Sequence, residues 1–298
     1  MSLALNKIPN VRGKLTTNAD MSSSSWFKVG GPFELLFEPE DELDLKFFIE
    51  NLCSTIPIFI IGALSNTIIR DGGVKGIGIK LNKNFSKIKI HKNYIEVGAS
   101  LLNMKFTGYA KKNNFYGYDF LSGIPGTIGG SIKMNAGCYG REMSDILYEV
   151  KILDRNKGLY NISRNKLDMA YRKTSISDES IIISAKFRYF AEDKEAIALF
   201  DLKQQRIKTQ PVNKLTGGST FKNPIGHKAW KLIEEAGCRG LSIGGAKISE
   251  MHTNFIINYN NATASDIESL GDTVKQRVYD NSGIKLEWEI LKIGFSNK

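Results

Sequence analysis

The sequence predicts an α+β fold with more than one compact body, on two observations. Apolar runs of strand length and amphipathic runs of helix length follow one another irregularly, with no regular strand–helix–strand alternation. The 298 residues also exceed one average domain, and Pro211, after a charged amphipathic segment over 194–208, marks a break beyond which new elements begin.

Residues 40–53 place Leu45, Phe48, Ile49 and Leu52 on one face of a helix that follows Pro39, near the helix start where proline is best tolerated. Residues 56–61 read as a buried strand, and further strands are predicted at 77–81, 94–97, 150–154 and 181–189, with a helix over 101–112. Beyond Pro211 come a helix over 227–236 stopped by Gly237, a strand at 254–258, and a helix over 265–279 ahead of Gly283. Ile267, Leu270, Val274 and Val278 form the stripe of that last helix, and Ser265 and Glu268 stand at capping-box spacing.

A formal net charge of +10 favours anionic partners, nucleic acid first among them. The basic residues are dispersed, however; Lys80, Lys83, Lys87 and Lys89, or Lys203, Arg206 and Lys208, read as solvated faces, and no nucleic-acid-binding module accompanies them. A phosphate-rich small molecule accounts for the sign equally well. Cys53, Cys138 and Cys238 are odd in number and far apart, which points away from a disulfide framework and from zinc. No His or Cys pair has metal-ligand spacing, so no metal site is expected. The N-terminus lacks the apolar core of a signal peptide, and the longest apolar run, 56–64, is too short to span a bilayer. A cytoplasmic protein is expected.

The stretch from Leu121 to Gly140 holds six glycines in twenty residues. Without a Cβ, backbone amides can approach a flat ring or a phosphate; an ordinary turn-rich loop is the competing reading. A second small-residue loop, Gly62-Ala63-Leu64-Ser65-Asn66, follows the first strong strand directly, between Val29-Gly30-Gly31-Pro32 and Asp71-Gly72-Gly73. Successive amides after a strand form the concave nest that binds pyrophosphate. Neither loop is a G-x-G-x-x-G, and there is no Walker A sequence.

Three more motifs lie downstream: Ala170-Tyr171-Arg172-Lys173, Gly217-Gly218-Ser219-Thr220-Phe221-Lys222-Asn223-Pro224, and Leu286-Glu287-Trp288-Glu289-Ile290. Taken singly, each has a bland reading: a surface ion pair, a turn serine, an exposed terminal strand. Together with the glycine-rich loops, over about Ser25 to Gly294, they resemble the UDP-N-acetylenolpyruvoylglucosamine reductases, FAD enzymes of peptidoglycan precursor synthesis.

That resemblance implies a two-part FAD-binding domain of the PCMH, or vanillyl-alcohol-oxidase, type in residues 1–75 and 76–200, and a C-terminal α+β substrate-binding domain in 201–298. It implies FAD contacts from Gly62, Ala63, Leu64, Ser65, Asn66, Gly123, Pro125, Gly126, Gly129, Gly130, Asn135, Ala136 and Gly137. Leu64 stands where the family's first loop has its second glycine. His91, His227 and His252 all lie outside both loops, so the flavin is expected to be non-covalent.

By the same resemblance Arg172, Ser219 and Glu289 are catalytic, and the chemistry suits those types. Hydride delivered to the terminal carbon of an enolpyruvyl ether leaves negative charge on the adjacent carbon and its carboxylate, and a guanidinium offers a fixed bidentate match for that charge. Ser219 is the proton donor to the carbanionic carbon. Three roles fit Glu289: polarising the enol, acting through its own proton, or fixing the other groups. Lys222 and Asn223 are placed to reach a diphosphate, Tyr171 and Arg239 are substrate-contact candidates, and His252 fits a substrate contact and a satisfied core histidine equally. The short link over 173–180 resembles the loop-lacking second type of the family.

The implied activity is NADPH-dependent reduction of UDP-N-acetylglucosamine enolpyruvate, by a cytoplasmic monomer acting on small molecules, with no nucleic-acid or membrane partner. Two rivals stand beside it. Another FAD oxidoreductase of the same wider group, oxidising an alcohol or hydroxy acid, accounts for the loops of 62–140 but not for the motifs beyond Tyr171. A non-enzymatic anion-binding protein accounts only for the charge and the nests.

Overall fold

A computed structural model describes residues 8–190 and 207–296. They fall into two compact units: 8–18, 34–63 and 75–190 in the first, and 19–33, 64–74 and 207–296 in the second.

The first unit contains two sheets. One is four-stranded, in the order β1 (Lys14–Ala19), β2 (Phe33–Glu38), β5 (Val74–Lys80), β3 (Ile58–Ile61), with β3 and β5 parallel. Helix α1 (Glu42–Asn51) begins at Asp41, whose carboxylate accepts the Asp44 amide at 2.9 Å, and buries Leu45, Phe48 and Ile49 at helical spacing. The other sheet is five-stranded and antiparallel, in the order β11 (Gly158–Ser163), β10 (Leu147–Asp154), β14 (Ile181–Arg188), β7 (Tyr94–Gly98), β6 (Ile88–Ile90). Both faces of its centre are covered, which is why β14 opens on three consecutive isoleucines, Ile181, Ile182 and Ile183. Ile182 and Phe187 join a core with Phe106 and Ala110 of α2 (Asn103–Lys112) and Ile128 and Ile132 of α3 (Ile128–Lys133), while Ile181 and Ile183 join Leu45, Phe48 and Ile79. The glycine-rich stretch is thereby anchored on a rigid sheet through α3.

The second unit has one core. Helix α5 (Ala229–Glu235) and helix α6 (Ala264–Ser282) pack with a three-stranded antiparallel sheet of β15 (Ser242–Ile243), β16 (Ala246–Ile248) and β17 (Ile256–Asn258). The stripe Ile267, Leu270, Val274 and Val278 is buried as predicted, and Gly283 ends α6 in the left-handed conformation. Its start differs from the expectation. The capping box is Thr263 with Asp266, two residues earlier than Ser265 with Glu268, and Glu268 instead pairs with the Arg70 guanidinium at 2.8 and 3.0 Å. Thr263 prevails because the Asp71 carboxylate accepts the amides of Ala264 and Ser265, both at 2.9 Å, which fixes them inside the first turn.

Strands β1, β6 and β11, with little apolar alternation or short length, are not among the predicted ones, and neither is β2, although its Phe33, Leu35, Leu36 and Phe37 are apolar and buried. Strand β4 (Thr67–Ile69) pairs in parallel with β18 (Leu291–Ile293), a ladder between residues from opposite ends of the chain. Most of the amphipathic segment over 194–208 lies outside the described residues; Ile207 and Lys208 are helical.

Candidate active site

The glycine-rich stretch divides by physical cause. Gly129 lies against Ala99, whose Cβ a new Cβ would meet at 3.0 Å, and at Gly137 a Cβ would come within 2.7 Å of the Arg141 carbonyl. Packing inside the protein explains those two without any ligand. Gly126 takes φ 115°, a conformation that side chains rarely adopt. Gly62 and Gly130 are different: both are exposed, and a Cβ on either would meet only the Thr127 hydroxyl, at 3.1 and 3.4 Å. Thr127 caps α3 by accepting the Gly130 amide at 3.3 Å. The strand-end loop and the start of α3 thus meet at Thr127, leaving open, side-chain-free backbone on both sides, which is the surface a pyrophosphate or isoalloxazine ring requires. The residues present fit an FAD.

Gly123 is buried in a short 3-10 turn, and Pro125 and Ala136 are partly buried. Asn135 is fully buried at φ 43°; its amide donates to the Glu142 carboxylate at 2.8 Å and the Ala170 carbonyl at 3.1 Å, and its oxygen accepts the Ser144 amide at 3.0 Å.

Arg172 and Tyr171 form the two-residue turn of the hairpin β12 (Met169–Ala170) and β13 (Lys173–Thr174), in which Ala170 pairs with Lys173. Arg172 sits at φ 55°, in the left-handed region, with its guanidinium 4.8 Å from the centre of the exposed Tyr171 ring and one nitrogen 3.4 Å from the Gly137 carbonyl. A non-glycine residue in this conformation costs about 1–3 kcal/mol, tolerated where surrounding structure over-determines it.

Ala63, partly buried, ends its segment of the first unit, and the remaining candidates lie in the second unit. Leu64 adopts φ 50°, keeping a glycine-like backbone in spite of its Cβ, and is only 5% exposed; its carbonyl accepts the Trp26 amide at 3.3 Å. Ser65 is buried beside it. The Asn66 side chain donates to the Glu289 carbonyl at 3.1 Å.

The segments that carry Ser219 and Glu289 are paired. Phe221 and Trp288 form an antiparallel bridge, the Glu289 amide donates to the Thr220 carbonyl at 2.9 Å, and the Lys222 amide donates to the Glu287 carbonyl at 2.9 Å. Ser219 adjoins this ladder next to the rung of Glu289, and Gly218 before it takes φ 83°. Gly217 allows close approach of Phe27, whose ring a Cβ would meet at 2.4 Å. Asn254, which drew no attention beside His252 in the sequence, holds the far side: its oxygen accepts the Phe221 amide at 3.0 Å, its nitrogen donates to the Phe221 carbonyl at 2.9 Å, and its own carbonyl accepts the Thr220 amide at 2.8 Å.

The substrate-contact candidates are more dispersed. Lys222 pairs with Glu287 at 3.3 Å, and the Asn223 oxygen accepts the first amide of α5, that of Ala229, at 2.9 Å. Arg239 is exposed and forms an ion pair with Glu234 at 2.5 Å. His252 is half-buried, edge-on to Phe255 at 4.8 Å, with Nδ1 accepting the Asn254 amide at 3.3 Å; burial, with a smaller contribution from Arg239, holds it below the usual histidine range. Among the described residues, no group of three His, Cys, Asp or Glu side chains could hold a metal ion, and no helix is long and apolar enough to cross a membrane.

Residues 33–162 match an FAD binding domain family, and residues 210–293 match the UDP-N-acetylenolpyruvoylglucosamine reductase C-terminal domain. The UDP-N-acetylenolpyruvoylglucosamine reductase of Gluconobacter oxydans is 43% identical over 289 residues, covering 96% of this chain and 94% of that one. That of Rickettsia conorii is 45% identical over 289 residues, covering 96% and 98%. The crystal structure of the Thermus caldophilus enzyme superposes with a TM-score of 0.81 at 29% identity, over 96% of this chain and 100% of that one. With its α+β fold of an FAD-binding domain and a reductase C-terminal domain, this chain belongs to the UDP-N-acetylenolpyruvoylglucosamine reductase family.

Proposed function

We propose that this chain reduces UDP-N-acetylglucosamine enolpyruvate to UDP-N-acetylmuramate with NADPH as the electron source, in peptidoglycan precursor synthesis. The observation that carries the reading is the ladder that pairs Glu289 with Thr220, the residue after Ser219, and joins Glu289 to Asn66 of the strand-end loop.

Gly62–Asn66 and the stretch from Gly123 to Gly137 would hold FAD non-covalently, and the bound flavin would be the source of the hydride that the terminal carbon of the enolpyruvyl ether receives. Arg172 binds the substrate carboxylate and stabilises the charge that develops on it, its guanidinium held by a turn rather than a flexible tail. Ser219 transfers its hydroxyl proton to the adjacent carbon, so that hydride and proton convert the CH₂=C unit to CH₃–CH. Glu289, fixed through its backbone at Thr220 and Asn66, orients these groups or polarises the enol. Lys222, Asn223, Arg239, Tyr171 and His252 serve the diphosphate and sugar. Asn135 contributes to the cofactor through its backbone, since its side-chain amide is engaged by Glu142 and Ala170. The same reading assigns 1–75 and 76–200 as flavin subdomains and 201–298 as the substrate domain, in a cytoplasmic monomer without nucleic-acid partners.

Anaerobic stopped-flow absorbance tests it. Flavin reduced by NADPH should be reoxidised by the enolpyruvyl sugar in the absence of oxygen. Reoxidation by oxygen alone, or reduction by alcohols and hydroxy acids in place of NADPH, would return the chain to the wider group of FAD oxidases.

A further inference from the structure

Three bonds join the end of the glycine-rich stretch to the hairpin that carries Arg172. The Lys133 carbonyl accepts the Thr174 hydroxyl at 3.0 Å, the Asn135 amide donates to the Ala170 carbonyl at 3.1 Å, and the Gly137 carbonyl accepts Arg172 at 3.4 Å. Alternate residues 133, 135 and 137 thus face the hairpin along its length. Asn135 is the central one and the one fully buried.

Its chemistry is narrowly determined. The position is left-handed, at φ 43°, which asparagine tolerates better than most residues. Two donors are needed, for the Ala170 carbonyl and the Glu142 carboxylate, together with one acceptor for the Ser144 amide. Aspartate lacks the donors and would set a second carboxylate against Glu142; glycine satisfies the backbone and none of the three bonds. Ala170 is the last residue before the turn, and the next residue but one is Arg172, itself held at φ 55°. A turn in so disfavoured a conformation keeps its geometry only while its ends are held.

We propose that Asn135 is a positioning residue for Arg172: by holding the Ala170 carbonyl it keeps the hairpin turn, and with it the guanidinium, in the left-handed arrangement. This rests on the reading of Arg172 given above and goes beyond it in naming what presets the arginine before substrate arrives.

The test uses Asn135→Gly, which preserves the φ requirement and removes only the side-chain bonds. In the apoprotein, amide hydrogen exchange over 169–174 should speed up while exchange in β10 and β14 is unchanged. With FAD restored, reoxidation by the enolpyruvyl substrate should slow about tenfold, the scale of losing one or two buried hydrogen bonds, and by more than flavin reduction by NADPH slows. Combined with Arg172→Ala, the same change should slow reoxidation no further, because Asn135 acts through Arg172. Multiplicative slowing in the double variant overturns the proposal. So does a collapse of FAD affinity with hairpin exchange unaltered, which would make Asn135 a cofactor contact instead. If Asn135→Gly fails to fold, Asn135→Ser carries the same test, with the same non-additivity expected. Full-speed reoxidation by Arg172→Ala alone overturns the underlying reading of the arginine, and the proposal with it, whereas a slow Arg172→Ala beside a normal Asn135→Gly overturns only the proposal.

Discussion

The side-chain amide of Asn66 donates to the carbonyl of Glu289 at 3.1 Å, and the Asn66 carbonyl accepts the Leu291 amide at 3.0 Å, across 223 positions of sequence. An asparagine of the strand-end loop is therefore part of the backbone frame of Glu289, the glutamate proposed to act in catalysis. Asn66→Ala should destabilise the protein by about 1 kcal/mol, the net value of one such bond. Urea unfolding with an unchanged slope would read this as a lower midpoint; an unchanged midpoint would show that the side-chain bond contributes nothing.

Leu64 predicts an inverted order of substitutions. Leu64→Ala loses the buried side chain and keeps the cost of φ 50°; Leu64→Gly loses the side chain and relieves that cost. Truncating a buried leucine typically costs about 2–5 kcal/mol, and left-handed strain is about 1–2 kcal/mol, so glycine should be the more stable variant by roughly 1 kcal/mol. Thermal unfolding of both apoproteins decides it. FAD affinity should be retained in Leu64→Gly, since the loop already has the backbone that glycine favours; a large loss would show that the leucine side chain itself shapes the flavin site.

Ser219→Ala separates hydride from proton transfer. FAD binding and flavin reduction by NADPH should remain near normal, while reoxidation by the enolpyruvyl substrate slows by about 10²-fold or more, the usual scale of a general acid. Ser219→Cys should recover part of the rate. Stopped-flow absorbance of the two half-reactions measures each; reoxidation of Ser219→Ala at the parent rate would remove the serine from the proton-donor role.

His252 carries a pH dependence of stability. Burial depresses its folded-state value below the 6.5 of the unfolded chain, so below that pH the unfolded state binds the proton more readily. Its contribution is present above about pH 6.5 and is lost as pH falls toward the folded value. His252→Gln should flatten the fall in melting temperature between neutral pH and about pH 5 relative to the parent. Parallel profiles for both proteins would show that His252 is not responsible.

Much of the fold was legible because local pattern and tertiary demand coincide. The stripe from Ile267 to Val278 is periodic on its own and buried in the structure, and 150–154 and 181–189 read as strands because both faces of β10 and β14 are covered. Where they diverge, the reading missed. The capping box moved to Thr263 because Asp71, nearly two hundred residues away, takes the next two amides. Strand β1 lacks an apolar pattern of its own and β6 is only three residues long, so both exist through their sheet neighbours. Asn254 was passed over because a histidine two residues before it carries more conspicuous chemistry.

What the sequence determined by itself was the family, since residue identity and order are enough to match a family's motifs; the glycines, the arginine, the serine and the glutamate of those motifs are the candidates it nominates. Only the tertiary structure decided how each is held. It paired Glu289 with Thr220, next to Ser219, through the Phe221–Trp288 ladder, assigned Gly129 and Gly137 to packing and Gly62 and Gly130 to open backbone, and set Leu64 and Arg172 in left-handed conformations that their residue types disfavour. The physical reason is that backbone strain and hydrogen-bond partnership are set by non-local contacts, such as Asn66 with Glu289 and Asn135 with Ala170, which no stretch of sequence encodes alone.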